Sequence, residues 1–374
     1  MRRKFILIAL TVLAVVAATV IGVREGTKSA GTTVLVIAPL TGPGAALGES
    51  SRVGMTLALE DLGDSAHNLK LNFQDSRTDP KTAISILSSR QLHANSRIVI
   101  SEMSQVTRSL VEPAEREGVL LLATAVGVPN IGRGSQNFVR VNVMSDAIAP
   151  PLARFAAKRH SRIAILYLND DYGRANLELF SRTFTAAGKR VVMNEPFETD
   201  PASARTLVEK VRSAGVPACF ITGYGPAYPA IFRAFKELAP SVQLYADIGL
   251  ANSPVFRAVG DAAEGVFLAA TEIDEYPPTS EGGRRFVERF SRKRPGERPD
   301  YIVAYSYDTV TILAAALRAV PSGEPTLVRN YLASRRFEGL GGRFSIDPKT
   351  GDSIYDELPI FIVRSGQIIR VPAQ

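Results

Sequence analysis

The sequence is poor in the residues on which covalent cross-links, metal sites and many catalytic centres depend. Its 374 residues include one cysteine, three histidines and no tryptophan. A single cysteine excludes a disulfide within the chain, and Cys219 stands in the apolar stretch 218–222, where a free thiol typically packs as a small hydrophobic side chain. His67, His93 and His160 are scattered and lack metal-site spacing. We therefore predict no metal ion and no thiol chemistry.

Signatures of nucleotide binding and hydrolysis are also missing. The glycine-rich turn 42–48 has Leu47 where a dinucleotide fingerprint requires its third glycine, and no GK[ST] phosphate loop occurs. An α/β-hydrolase needs a G-x-S-x-G elbow and a later histidine. Gly48-Glu-Ser-Ser51 does not fit that elbow, and no histidine follows His160. We therefore predict no catalytic residues, no cofactor and no enzymatic activity.

The positive charge of the chain is concentrated at its beginning. The net charge is +7, but residues 1–30 hold five basic residues against one acidic residue, which leaves +3 for the other 344. A surplus this small does not indicate a nucleic-acid partner.

The first 30 residues have the order of an export signal or a membrane anchor. Arg2, Arg3 and Lys4 precede an uncharged run at 5–23, and residues 16–18 form a small-residue cleavage site. The run is 19 residues long, which is just enough to span a bilayer. We expect export to the periplasm or the extracytoplasmic face of the membrane, either with cleavage or with residues 5–23 kept as an anchor.

The rest of the chain alternates between strand and helix patterns. The apolar stretch 34–38 predicts a buried strand, and after the glycine-rich turn Met55, Leu59 and Leu62 form an apolar stripe at helical spacing. Similar pairs repeat in two series, which predicts an α/β fold with parallel sheets and helices on both faces. We expect two doubly wound, Rossmann-like lobes.

Several short motifs, in order along the chain, resemble those of type I periplasmic solute-binding proteins. The similarity is greatest to the leucine/isoleucine/valine-binding family, the branched-chain amino acid substrate-binding proteins of ABC transporters. The matching segments are Pro39–Pro43 with Gly48, Asp79–Ala83, Asp171–Gly173, Gly260–Gly265, Tyr307–Asp308, and Phe337–Gly342 with Phe344 and Asp347.

This resemblance implies two lobes that are joined by three crossovers and close on a ligand like a clamshell. We expect the first lobe at 31–143 plus 272–341 and the second at 144–271 plus 342–374. The crossovers are expected near 142–146, 269–273 and 341–344.

The resemblance also implies which positions face the cleft. In amino-acid-binding relatives the turns after the third and fourth strands hold the ligand carboxylate, and a helix N-terminus suits an anion. The ligand-binding residues expected here are Ser104, Gln105, Ala125 and Gly127 from those turns, Leu47, Tyr172 and Tyr224 around the side chain, and Asp247. Of the adjacent acids Asp170 and Asp171, we expect the second to cap the helix that follows.

Two positions depart from the family pattern and leave the ligand open. The carboxylate-binding threonine of the family aligns with Gly127, and the acid that receives the ligand ammonium aligns with Ile248, one position after Asp247. A buried ammonium without an acceptor is costly. Either Asp247 receives it, or the ligand has no ammonium. The expected ligand is thus an apolar amino acid or an apolar or aromatic carboxylate.

We predict a substrate-binding protein of an ABC importer, with a small-molecule ligand and an inner-membrane permease as partners. One alternative is a membrane-anchored sensor of the same fold, and an exported α/β hydrolase is a second.

Overall fold

The structure, a computed structural model, describes residues 32–66, 69–90 and 96–372. The predicted export signal at 1–30 lies outside these residues. Within the described ranges, no helix combines the length and the apolar character that crossing a bilayer requires.

The first lobe is built on a five-stranded parallel sheet with the strand order β2-β1-β3-β4-β5. Its central strands are fully buried because helices cover both faces. The strands are β1 (Thr33–Ala38), β2 (Lys70–Asp75), β3 (Ile98–Ser101), β4 (Leu120–Ala123) and β5 (Phe138–Arg140). Their helices are α1 (Ala45–Leu62), α2 (Pro80–Ser88) and α3 (Ser104–Arg116).

The second lobe is built on a seven-stranded sheet with the order β15-β14-β10-β9-β8-β6-β7. Five strands are parallel. At one edge β14 pairs antiparallel with β10, and β15 pairs antiparallel with β14. The strands are β6 (Arg162–Leu168), β7 (Arg190–Phe197), β8 (Ala218–Thr222), β9 (Gln243–Ala246), β10 (Phe267–Ala269), β14 (Ile360–Arg364) and β15 (Gln367–Arg370). The helices are α4 (Ala149–Ala157), α5 (Asp171–Ala186), α6 (Ala204–Ser213), α7 (Ala227–Leu238) and α8 (Ser253–Val259).

The last third of the chain returns to the first lobe before it reaches β14. Helix α10 (Tyr301–Ala319) packs along α1, and it is flanked by α9 (Glu281–Lys293) and α11 (Pro325–Ala333). A small antiparallel sheet follows, formed by β11 (Arg336–Gly339), β12 (Gly342–Ile346) and β13 (Ser353–Tyr355).

The third passage between the lobes differs from the expected one. β12 pairs with β11 on one side and β13 on the other, and Phe344 packs in the core of the first lobe. The hydroxyl of Tyr355 also donates to the Val141 carbonyl at 3.2 Å. A boundary at 341/342 would cut this hairpin, so the chain passes to the second lobe only between β13 and β14.

Candidate binding site between the two lobes

One cavity lies between the lobes, where the carboxyl ends of both sheets meet. It contains about 560 Å³ of space between protein atoms, part of it open to solvent. Seven of the eight predicted ligand-binding residues line it: Leu47, Ser104, Gln105, Ala125, Gly127, Tyr172 and Tyr224. Asp247 does not. Ligands of open α/β sheets gather beyond the carboxyl ends of strands, which agrees with this location.

The first-lobe wall presents hydrogen-bond donors. Helix α3 begins at Ser104 directly after β3, and its N-terminal amides receive no side-chain cap from any described residue. The Ser104 hydroxyl oxygen accepts the Val128 amide at 3.3 Å, so its own proton remains available to the cavity. Uncapped amides at a helix N-terminus carry a partial positive charge and suit a carboxylate.

The turn at 125–128 is held by buried polar groups that sequence reasoning missed. Arg140 is fully buried and donates to the Val126 and Val128 carbonyls at 2.6 and 2.7 Å. It pairs with Asp352 at 3.0 Å. Asn142 adds bonds to the amide and the carbonyl of Val126. The signal available in the sequence was an arginine inside the apolar stretch 138–141.

The second-lobe wall is organised by Asp170, which also corrects one prediction. Asp170, and not Asp171, caps α5: its side chain accepts the Gly173 amide at 2.8 Å. Its other oxygen accepts the Tyr224 hydroxyl at 2.6 Å. Burial raises the pKa of Asp170, and these hydrogen bonds oppose the rise. Asp171 instead forms a partly exposed ion pair with Arg108 of the first lobe at 2.8 Å.

Asp247 lies behind the cavity wall, fully buried. Its carboxylate accepts the hydroxyls of Thr222 at 2.6 Å and Tyr228 at 2.7 Å, and the amides of Gly223 and Gly249, both at 3.1 Å. Burial raises the pKa of Asp247 to about 6 despite these bonds. Because the two glycines line the cavity, Asp247 positions their backbone.

The remaining lining is apolar and aromatic. Leu47, Ile148, Ile248 and Ile302 contribute aliphatic surface, and the tyrosines at 301 and 305 come from the first turns of α10. Sequence reasoning missed these two tyrosines, although their spacing places them on one helix face. The cavity therefore combines hydrogen-bonding groups with apolar and aromatic surface.

The hydrogen bond between the Gln105 amide nitrogen and the Tyr224 hydroxyl, at 3.4 Å, crosses the cavity from one lobe to the other.

Among the described residues, no group of three or more His, Cys, Asp or Glu side chains could hold a metal ion.

Two α/β lobes with a cavity that both of them line define a clamshell binding protein. A family model described as "Periplasmic binding protein" matches residues 31–365, and the chain belongs to that family. The family resemblance and the fold class that the sequence predicted are thereby confirmed.

Individual relatives are distant in sequence. The chain is 24% identical over 319 residues to the leucine-, isoleucine-, valine-, threonine- and alanine-binding protein of Pseudomonas aeruginosa. The aligned region covers 83% of this chain and 84% of the relative.

Two solved structures share the fold over nearly their full lengths. One is a solute-binding protein of an ABC transporter from Rhodopseudomonas palustris BisB5 in complex with 3,4-dihydroxybenzoic acid (TM-score 0.84, 19% identity, 91% and 96% of the two chains). The other is a leucine-binding protein from Thermotoga maritima MSB8 (TM-score 0.80, 23% identity, 91% and 98%).

Proposed function

We propose that this protein is an extracytoplasmic receptor that binds a small apolar amino acid, or an apolar or aromatic carboxylate, and delivers it to an ABC importer. The observation that carries the proposal is the cavity itself, which both lobes line and which combines hydrogen-bonding groups with apolar and aromatic side chains. The names of the relatives support the same ligand classes, since they include a binder of aliphatic amino acids and one crystallised with an aromatic acid.

The carboxylate of the ligand would bind at the first-lobe wall. The uncapped amides of α3 and the hydroxyl group of Ser104 supply hydrogen-bond donors there. The buried Arg140 holds the neighbouring turn at 125–128 rigid. Fixed donors are effective because little of their freedom is lost when the ligand binds.

The apolar part of the ligand would lie against the tyrosine rings and the aliphatic side chains of the lining. Burying an apolar side chain contributes about 25 cal/mol for each Å² removed from water. Tyrosine rings add a large apolar surface that costs little conformational entropy to order.

Binding would favour the closed arrangement of the lobes because a ligand held by both walls gains contacts that neither wall offers alone. A permease could then distinguish the closed, loaded receptor from the open one. The relation of the protein to the membrane depends on residues 1–30, and we propose export with removal of that segment. Mass analysis of the native N-terminus would distinguish removal from retention as an anchor.

The test is calorimetry with the purified protein against leucine, isoleucine, valine, phenylalanine, 4-methylpentanoate, benzoate and 4-hydroxybenzoate. Native mass spectrometry of small molecules retained after gentle purification would complement it. Leu47→Trp fills the cavity and should weaken binding at least tenfold, whereas Leu327→Trp, at a 53% exposed position, should not. Absence of binding across the panel, with no retained solute, would refute the proposal.

A further inference from the structure

The hydroxyl proton of Tyr224, on the second-lobe wall, is committed to an acid rather than to the cavity. Tyr224, which is 6% exposed, donates to Asp170 at 2.6 Å. An ionised carboxylate can only accept, so the direction of this bond is set. The Tyr224 oxygen therefore faces the cavity as an acceptor, and the donor it meets from the protein is Gln105 at the long distance of 3.4 Å.

A second acid, Asp247, lies behind the same wall near Tyr172. Burial first and the negative charge of Asp247 second raise the pKa of the Tyr172 hydroxyl. Asp247 is itself surrounded by two hydroxyls and two amides, so it is not open to the cavity. The acid whose negative charge reaches the cavity through a tyrosine oxygen is therefore Asp170, through Tyr224.

The two walls consequently have opposite hydrogen-bonding character. The first-lobe wall offers the amides of α3 and the Ser104 proton. The second-lobe wall offers the Tyr224 oxygen, an acceptor that is polarised by the Asp170 carboxylate. Asp170 is the one carboxylic acid among the described residues of the lining, and both of its oxygens already have partners.

We infer that the ligand is a carboxylate that also carries a hydrogen-bond donor, an ammonium or a hydroxyl group, and that the Tyr224 oxygen, oriented by Asp170, accepts this donor. The inference rests on the proposed function and adds a specificity-determining residue to it. Tyr224 contacts the ligand, whereas Asp170 is a positioning residue that acts through Tyr224. In the family, the acid that receives the ligand ammonium aligns with Ile248. Because the Tyr224 oxygen accepts the donor here, no carboxylate has to contact the ligand directly.

Matched ligand pairs test the inference, because each pair differs in the donor alone. Leucine is compared with 4-methylpentanoate for the ammonium, and 4-hydroxybenzoate with benzoate for the hydroxyl. For the wild type we expect the donor-bearing member of at least one pair to bind ten times more tightly or better. The pair that shows the difference identifies the donor.

Tyr224→Phe keeps the ring and removes the acceptor, so it should reduce that ratio to less than threefold. A purely structural role for Tyr224 would weaken both members of a pair equally and leave the ratio unchanged. Asp170→Asn should reduce the ratio in part. The matched control is Tyr245→Phe, which removes a buried hydroxyl of the same lobe outside the cavity and should keep the ratio.

Equal affinities within both pairs, or an unchanged ratio in Tyr224→Phe, would overturn the inference while leaving the proposed function intact. Failure of the wild type to bind any of the four compounds would overturn the inference, and absence of binding across the full panel with no retained solute would overturn the proposed function as well.

Discussion

Gly127 of the first lobe lies against the Tyr172 ring of the second, and adding one methyl group there should impair ligand binding. An ideal Cβ at this position would lie 2.5 Å from Cε2 and 2.8 Å from Cδ2 of the Tyr172 ring. Carbon atoms are in favourable contact at about 3.5–4.0 Å, so the methyl group is about 1 Å too close. In Gly127→Ala the ring must rotate or the lobes must remain further apart.

Overpacking of this kind costs about 1–3 kcal/mol, which corresponds to about 5- to 150-fold weaker binding. The cost falls on the closed arrangement because Gly127 belongs to the first lobe and Tyr172 to the second. Parting of the lobes relieves the contact, so the free energy of unfolding of the unliganded protein should change by less than about 0.5 kcal/mol.

The assay is calorimetry of wild type, Gly127→Ala and Gly282→Ala with whichever ligand binds most tightly, together with urea unfolding of each protein. Gly282 is exposed on α9, and a Cβ there meets nothing within 4 Å, so this variant should bind as the wild type does. An affinity of Gly127→Ala within twofold of the wild type would refute the reasoning, as would an equal loss of affinity in the control.

Three further predictions concern buried and exposed charges. Arg140→Met leaves Asp352 without its partner, so urea unfolding should show a loss of about 3–5 kcal/mol, and a loss below 1 kcal/mol would contradict this. Burial raises the pKa of Glu102 to about 8, so the folded state holds a proton that the unfolded state releases, and stability should fall as the pH rises from about 4.5 to 8. Unfolding at pH 5, 7 and 8.5 should show a shallower fall for Glu102→Gln, and parallel profiles would contradict this. Arg108→Ala removes the partly exposed pair with Asp171 and should change ligand affinity less than about threefold in calorimetry.

The α/β character could be predicted from sequence because it depends on local patterns, whereas the expected cavity residues came from the resemblance to a known family. Apolar runs of strand length and stripes of helical spacing indicate which segments form which elements. The N-cap of α2 is equally local, since Asp79 accepts the Thr82 amide at 2.7 Å. Parallel strands place their following turns at one edge of a sheet, so residues such as Ser104 and Gly127 meet even though the chain separates them.

The sequence alone determined the class of fold, the family resemblance and seven of the residues that line the cavity, because element type and strand-end turns follow from patterns of neighbouring residues. Only the tertiary structure decided the partners of the acids: Asp247 accepts hydrogen bonds from Tyr228 and Thr222, and Asp170 accepts one from the Tyr224 hydroxyl. It also decided that Phe344 packs in the first lobe. The physical reason is that a side chain chooses its hydrogen-bond partner and its core among groups that are distant in the chain and adjacent only after folding.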